Sequence, residues 1–158
     1  MILFGVGDYT LAIAAQAVEE IRNLEGLKPM PPGAVTPRLA KFKHLLVRDR
    51  KRYFVVDSNL HFRLFPSKAT RLLVLRDSAA AVLVDHTERI TEIGALHALP
   101  RAFQGEERQW YRGLAMIDGR VVPVIDPSAF MSKSEYTVLQ AAVAGAEAAE
   151  KAKGAVSA

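Results

Sequence analysis

The side chains best suited to moving protons near neutral pH are His44, His61, His86 and His97. No two of them share helical i, i+4 spacing with a carboxylate, and the chain has no Cys. The spacing therefore offers no zinc site, no thiolate nucleophile and no disulfide framework. Asp49, Asp57, Asp85, Asp118 and Asp126 could pair as general acid and base. Each falls at an expected strand end or turn, where Asp hydrogen-bonds its own backbone. The sequence has neither a Gly-x-Ser-x-Gly elbow nor a Walker-type phosphate loop. Gly5-Val6-Gly7 is too short for a dinucleotide fingerprint and suits a turn. Trp110-Tyr111 suits a stacking platform, an interface anchor or a core position at a strand start. These residues predict no catalytic centre, no metal and no cofactor.

Charge is the stronger signal. The net charge is +4 and the pI about 9.5, so a polyanionic partner has to be considered. Residues 38–71 hold ten Lys and Arg against two Asp, and the rest of the chain is slightly acidic. The densest part is Arg48-Asp49-Arg50-Lys51-Arg52, which reads as an electrostatic docking patch or as a solvated turn.

These residues need a scaffold, and the composition supplies one. The 158 residues are 50% hydrophobic and 24% charged, enough apolar material to offset chain entropy in one domain or two very small ones. No stretch approaches the roughly 18–20 apolar residues of a membrane span. The opening Met-Ile-Leu-Phe-Gly-Val-Gly-Asp lacks a basic n-region, which predicts a cytoplasmic protein without a signal peptide.

Leu3–Val6 and Tyr9–Ile13 flank Gly7-Asp8 as a hairpin. Val18–Leu24 fits a strand or a helical turn. Pro29, Pro31, Pro32, Gly33 and Pro37 mark a loop. Tyr53–Val56 is a strand ending at Asp57. Leu72–Leu75 and Ala79–Val84 form a second hairpin about Arg76-Asp77-Ser78. Trp110–Ile117 and Arg120–Ile125 form the clearest one, because Asp118-Gly119 suits a type I′ turn. Lys133–Lys153 is Ala-rich and helical, with an apolar stripe of Val138, Leu139, Ala142 and Val143 that can dock on the β-body or project from it. Gly154–Ala158 reads as a frayed end.

Two segments look like copies. Val18-Glu19-Glu20-Ile21 lies over Ile90-Thr91-Glu92-Ile93 at an offset of 72, where Leu3 also meets Leu75 and Leu11 meets Leu83. Asp49–Asp57 lies over Asp118–Asp126 at an offset of 69. The expected fold is all-β: two small five-stranded β-barrel halves packed together over residues 1–131, then a helix and tail over 132–158. Neither half alone could bury an adequate core, and closure would protect strand edges.

The run Trp110-Tyr111-Arg112-Gly113-Leu114-Ala115-Met116-Ile117-Asp118-Gly119-Arg120-Val121-Val122-Pro123-Val124-Ile125-Asp126 resembles the closing motif of CheW-like domains. Ala81–Asp85 followed by Ile90, Glu92-Ile93 and Leu99-Pro100 fits the same family, as does the opening Tyr9–Ile13 with Val18–Ile21 and a Pro-bearing loop. The resemblance covers residues 2–130. It implies two SH3-like five-stranded barrels and a non-enzymatic adaptor. Such an adaptor bridges the cytoplasmic tips of methyl-accepting chemoreceptors and the regulatory domain of a CheA-type histidine kinase, in chemotaxis or a related motility pathway. Partner contact is expected at Val47, Arg48, Asp49, Arg50, Lys51, Arg52 and Val56.

The chain departs from the family in one place. Members usually carry an Asn-Leu-Arg-Gly-like turn before the first Val-Ile-Pro-Val-Ile-Asp strand. Here the Arg position falls on Asp49, with Arg48 and Arg50 beside it, and no Gly is present. Asp49 or Arg50 must then accept a positive φ, or the loop differs. The segment after the strand, Asn59–Pro66, is altered as well. The alternative reading is a small basic β-barrel that binds nucleic acid, with Tyr53, Phe54, Phe62 and Phe65 stacking on bases. It requires those rings to be exposed.

Overall fold

The computed structural model describes residues 1–32 and 36–157 of the chain. Gly33 of the Pro-rich loop and the terminal Ala158 fall outside them. In chain order the elements are β1 (Ile2–Val6), β2 (Tyr9–Ile13), β3 (Val18–Arg22), β4 (Lys28–Pro29), β5 (Phe42–Arg48), β6 (Lys51–Asp57), α1 (Ser58–His61), β7 (Arg71–Leu75), β8 (Ala80–Val84), β9 (His86–Ile90), α2 (Glu107–Trp110), β10 (Tyr111–Ile117), β11 (Arg120–Ile125) and α3 (Lys133–Ser157). Short 3-10 turns at Pro37–Leu39 and Pro127–Phe130 link some of them. The three expected hairpins form with the expected partners, and Val18–Arg22 is a strand. Asp118 and Gly119 both take positive φ, 51° and 74°, as a type I′ turn requires.

The strands make two sheets of one design. One runs β10-β11-β2-β1-β9, and the other β5-β6-β8-β7-β3 with the two-residue β4 outside β5. Even the short outer strand has its counterpart. Lys28 pairs Leu45, and the isolated bridge His97–Leu114 joins the positions that match them at the offset found for Asp49 and Asp118. Glu19 in β3 and Glu88 in β9 are both skipped by the ladder, and they match at that offset too. The registers therefore give one offset from β3 onward, and β2 stands to β8 by the same amount. Only β1 and β7 differ, because the turn Arg76–Ala79 is longer than Gly7-Asp8. The sequence match of Val18–Ile21 with Ile90–Ile93 is out of register with the true pairing of β3 and β9.

The N-terminal hairpin does not join the strands that follow it. β1 pairs with β9 and β2 with β11, so the segment Met1–Ile13 completes the sheet of the second copy. Neither sheet closes into a barrel, and one has six strands. β10 and β9 end one sheet and β3 and β4 the other, and Pro29 cuts β4 short because it offers no backbone donor. The architecture is mostly β with two open sheets and a C-terminal helix, in place of two closed five-stranded barrels.

Three apolar cores hold it. One sheet curls over Leu3, Ala12, Ala115, Ile117, Val122 and Val124. The other covers Leu46, Tyr53, Val55, Leu72, Val74 and Ala81. The largest core lies between the sheets and includes Phe4, Phe42, Phe54, Val56, Ile125 and Phe130. Both faces of β6 are therefore buried, which is why Tyr53-Phe54-Val55-Val56 is a continuous apolar run. Leu139 and Val143 of α3 enter the central core, whereas Val138 points to solvent. The helix runs on through Gly154 to Ser157.

Candidate docking surface

The β5–β6 turn carries the basic patch. Asp49 and Arg50 occupy its two central positions with φ of 50° and 64°. They are the repeat mates of Asp118 and Gly119, so both accept the left-handed geometry and Arg50 does so without a glycine's freedom.

Most of the patch's charge is already engaged. The Arg48 Nε donates to the Glu20 carboxylate at 2.5 Å, with Glu19 at 3.8 Å and Asp49 at 3.7 Å. Lys51 Nζ donates to the Ser78 carbonyl at 2.8 Å and lies 4.8 Å from the Tyr53 ring centroid. Arg52 donates to Gln140 at 3.3 Å and pairs with Glu147, both on α3. Val56 is fully buried in the central core and presents nothing to a partner, which corrects its place among the contact candidates. Val47, Asp49 and Arg50 remain exposed. Val47 and Arg50 line a cleft of about 340 Å³ with Lys51, Arg52, Tyr136 and Gln140.

A second and larger cleft, about 870 Å³, opens where the two copies meet, between α1, α2 and the Pro127–Phe130 turn. Its lining includes repeat mates from both sides: Lys41 with Trp110, and Leu60 with Ala129. His61 sits in its wall among the rings of Phe62, Trp110 and Phe130. Lys41 Nζ is 3.1 Å from His61 Nδ1, and Glu135 is 3.7 Å from the same ammonium. Burial first, and then the Lys41 charge, hold His61 down to about 3. Burial also pushes Lys41 below its ordinary value, against the pull of Glu135. The imidazole is thus neutral at pH 7, with Nδ1 accepting and Nε2 buried without a partner.

The other residues suited to chemistry have structural tasks. Asp57 caps α1 by accepting from the Asn59 and Leu60 amides, and Asp126 caps the equivalent turn through Ser128. Asp85 accepts from the Gly7 amide at 2.7 Å and from Ser67 at 2.8 Å. Asp118 pairs with Arg89. The His86 ring lies over Gly5, where any Cβ would collide with it. Trp110 and Tyr111 join the aromatic cluster around Phe62. Among the described residues no three His, Asp or Glu side chains gather as metal ligands. Tyr53, Phe54 and Phe62 are buried, so only Phe65 of the four rings could stack on a base.

One surface escaped sequence reading. Met116 and Val121 face each other across β10 and β11, and both are about half exposed, at 53% and 60%. Back along the parallel strands from the Val124–Ala12 pair, Tyr9 stands beside Val121 and is 58% exposed. The signal lies in the apolar residues at both ends of the Asp118-Gly119 turn.

Two related open sheets with paired capping turns, packed on one central core, define the β-architecture of the chain. The sequence matches the CheW-like domain family over residues 1–135. The chain belongs to that family, whose members serve as adaptors and scaffolds in chemotaxis-type signal transduction. Among solved structures the fold is similar to that of the scaffolding protein TtCheW from Thermoanaerobacter tengcongensis. The TM-score is 0.68 at 15% identity, over 79% of this chain and 86% of that one. No curated protein sequence matches the chain. No helix among the described residues is long and apolar enough to cross a membrane.

Proposed function

We propose that this protein is a non-enzymatic adaptor that couples chemoreceptor cytoplasmic tips to a CheA-type histidine kinase in the cytoplasm. The observation that carries the reading is the family match over residues 1–135, which spans both sheets and their shared core. Residues 1–131 act as the adaptor body and 132–158 as its helical extension. The kinase's CheW-like regulatory domain docks at the β5–β6 turn through Val47, Asp49 and Arg50. Arg48, Lys51 and Arg52 shape that turn through their internal partners. Holding receptor and kinase on one body makes their contact effectively intramolecular, so individually weak interfaces give strong coupling. Receptor state then biases the kinase through differential contacts.

The test is a pull-down of the full chain with the cognate kinase regulatory domain and the receptor tip as separate baits. Both should retain the wild-type protein. Arg50→Glu should lose the kinase domain while keeping its thermal melt. Failure of both baits to retain the wild type would sink the adaptor reading. Full retention of Arg50→Glu would sink only the assignment of the turn.

A further inference from the structure

Cations also gather at the N-terminal turn of α3. The connection Ala14–Ala17, the turn Arg76–Ala79, the start of β10 and the segment before α3 wall a cleft of about 580 Å³. It opens into a second cleft of about 380 Å³, and Asp77, Ser78, Met131, Ser132 and Lys133 line both. Arg76 and Arg112 line the first cleft, Lys133 lines both, and Lys51 lines the second. None of the four pairs with a carboxylate among the described residues. Arg76 donates to the carbonyls of Gln16 and Val18, and Lys51 to that of Ser78, so both keep their charge. Arg112 and Lys133 are exposed, and their charged groups have no partner. Asp77 is the one acid of the lining among the described residues, so four cations face one anion, a formal charge of +3. Glu135, the first acid of α3, is turned away: it accepts from the Ser132 amide and faces Lys41. Like charges gathered at one cleft repel each other, and a bound anion relieves that repulsion.

We infer that this trough is the docking site for an extended acidic segment of a partner protein, whose carboxylates meet Arg76, Arg112, Lys133 and Lys51. The charge of the occupant follows from the charge of the lining. Its extended form follows from the placement of the cations, which come from four separate elements and are spread over two linked clefts, so that no single small anion reaches them all. A nucleic-acid strand also needs rings to stack on, and the lining offers Tyr136 alone, 39% exposed and already edge-on to Phe54. A second copy of this chain has no such segment to offer. Its Glu19 and Glu20 are held by Arg48, Glu106 pairs with Arg63, and Glu147 and Glu150 share their helix with Lys151 and Lys153. Val47, Asp49 and Arg50 line neither cleft, so the inference does not rest on the adaptor reading, and neither bait of the pull-down decides it.

The probe is a fluorescein-labelled peptide of alternating Glu and Ala, about eight residues or roughly 27 Å when extended, titrated with the full chain at low salt. Fluorescence anisotropy should show saturable binding that falls away as salt screens the charges. Methyl NMR of the wild type should show shifts at Ala17, Ala79 and Met131, which line the trough. Arg112→Glu with Lys133→Glu should weaken binding about tenfold. The melt should be no lower than that of the wild type, since both side chains are exposed and unpaired. Lys43→Glu with Arg120→Glu removes the same net charge at exposed positions outside the trough and should change the affinity less than about twofold. No saturable binding, equal losses in the two double variants, shifts confined to methyls outside the trough, or a single-stranded oligo(dT) of the same charge binding at these methyls at least as tightly as the peptide would each overturn the proposal.

Discussion

His61 and Phe130 are repeat mates whose ring centroids lie 4.9 Å apart, so the two copies touch through equivalent positions. One copy puts a phenyl ring at that point and the other an imidazole whose Nε2 has no partner. The mismatch has a pH signature. Unfolded, His61 takes up a proton below about pH 6.5; folded, it refuses one until about pH 3. The unfolded state therefore binds more protons across that window, and stability falls as pH drops through it. At pH 5 the loss relative to neutral pH is about 2 kcal/mol. His61→Phe should remove most of that slope in urea titrations at pH 7 and pH 5. A slope unchanged in the variant would show that other groups set it.

Arg50 offers a different test, because the strain lies in the backbone. A non-glycine residue in the left-handed region costs about 1–2 kcal/mol, and a glycine gives back up to about 1 kcal/mol through chain entropy. Arg50→Gly should leave stability level or raise it by up to about 1 kcal/mol. The mirror change, Gly119→Arg, should lower it by a similar amount. Chemical denaturation of both variants compares the two turns directly.

Much of this fold is legible in the sequence for a physical reason: hairpins are local. Gly7-Asp8, Arg76–Ser78 and Asp118-Gly119 each turn within their own few residues, so turn chemistry places six strands. Sheet order is not local. Nothing in β1 and β2 announces that they pair with β9 and β11. Two different offsets align apolar residues almost equally well, because β3 and β9 are five-residue strands with little burial, and so little pattern, to fix the register. The site suffers from the same limit. The patch is visible as a charge run, but Glu19, Glu20 and Glu147, which neutralise Arg48 and Arg52, come from one distant strand and a helix. The exposed Val121 is hidden inside Val121–Ile125, a run that resembles a strand buried on both faces.

Val47 and Val56 bracket the basic patch in sequence and separate sharply in the fold. Val56 packs in the central core, so Val56→Ala deletes buried apolar volume and should cost about 2 kcal/mol. Val47 is mostly exposed, and Val47→Ala should shift stability by less than about 0.5 kcal/mol. Kinase-domain binding should respond in the opposite order, with Val47→Ala weakening it at unchanged stability. The comparison needs one melt and one binding isotherm per variant.

The helix α3 can be divided by the same reasoning. Leu139 is fully buried, and Leu139→Ala should cost about 2–5 kcal/mol through lost transfer energy and the cavity left behind. Glu147 reaches Arg52 from an exposed position, and an ion pair of that kind contributes about 0–1 kcal/mol. Glu147→Ala should therefore move the melt little, and less still at high salt. Ala148 to Lys153 are exposed on every face, so removing the chain after Glu147 should behave like Glu147→Ala and unlike Leu139→Ala. If that truncation instead unfolds the protein, the distal turns of α3 hold the β-body through contacts that Leu139, Val143 and the Arg52 pair do not supply.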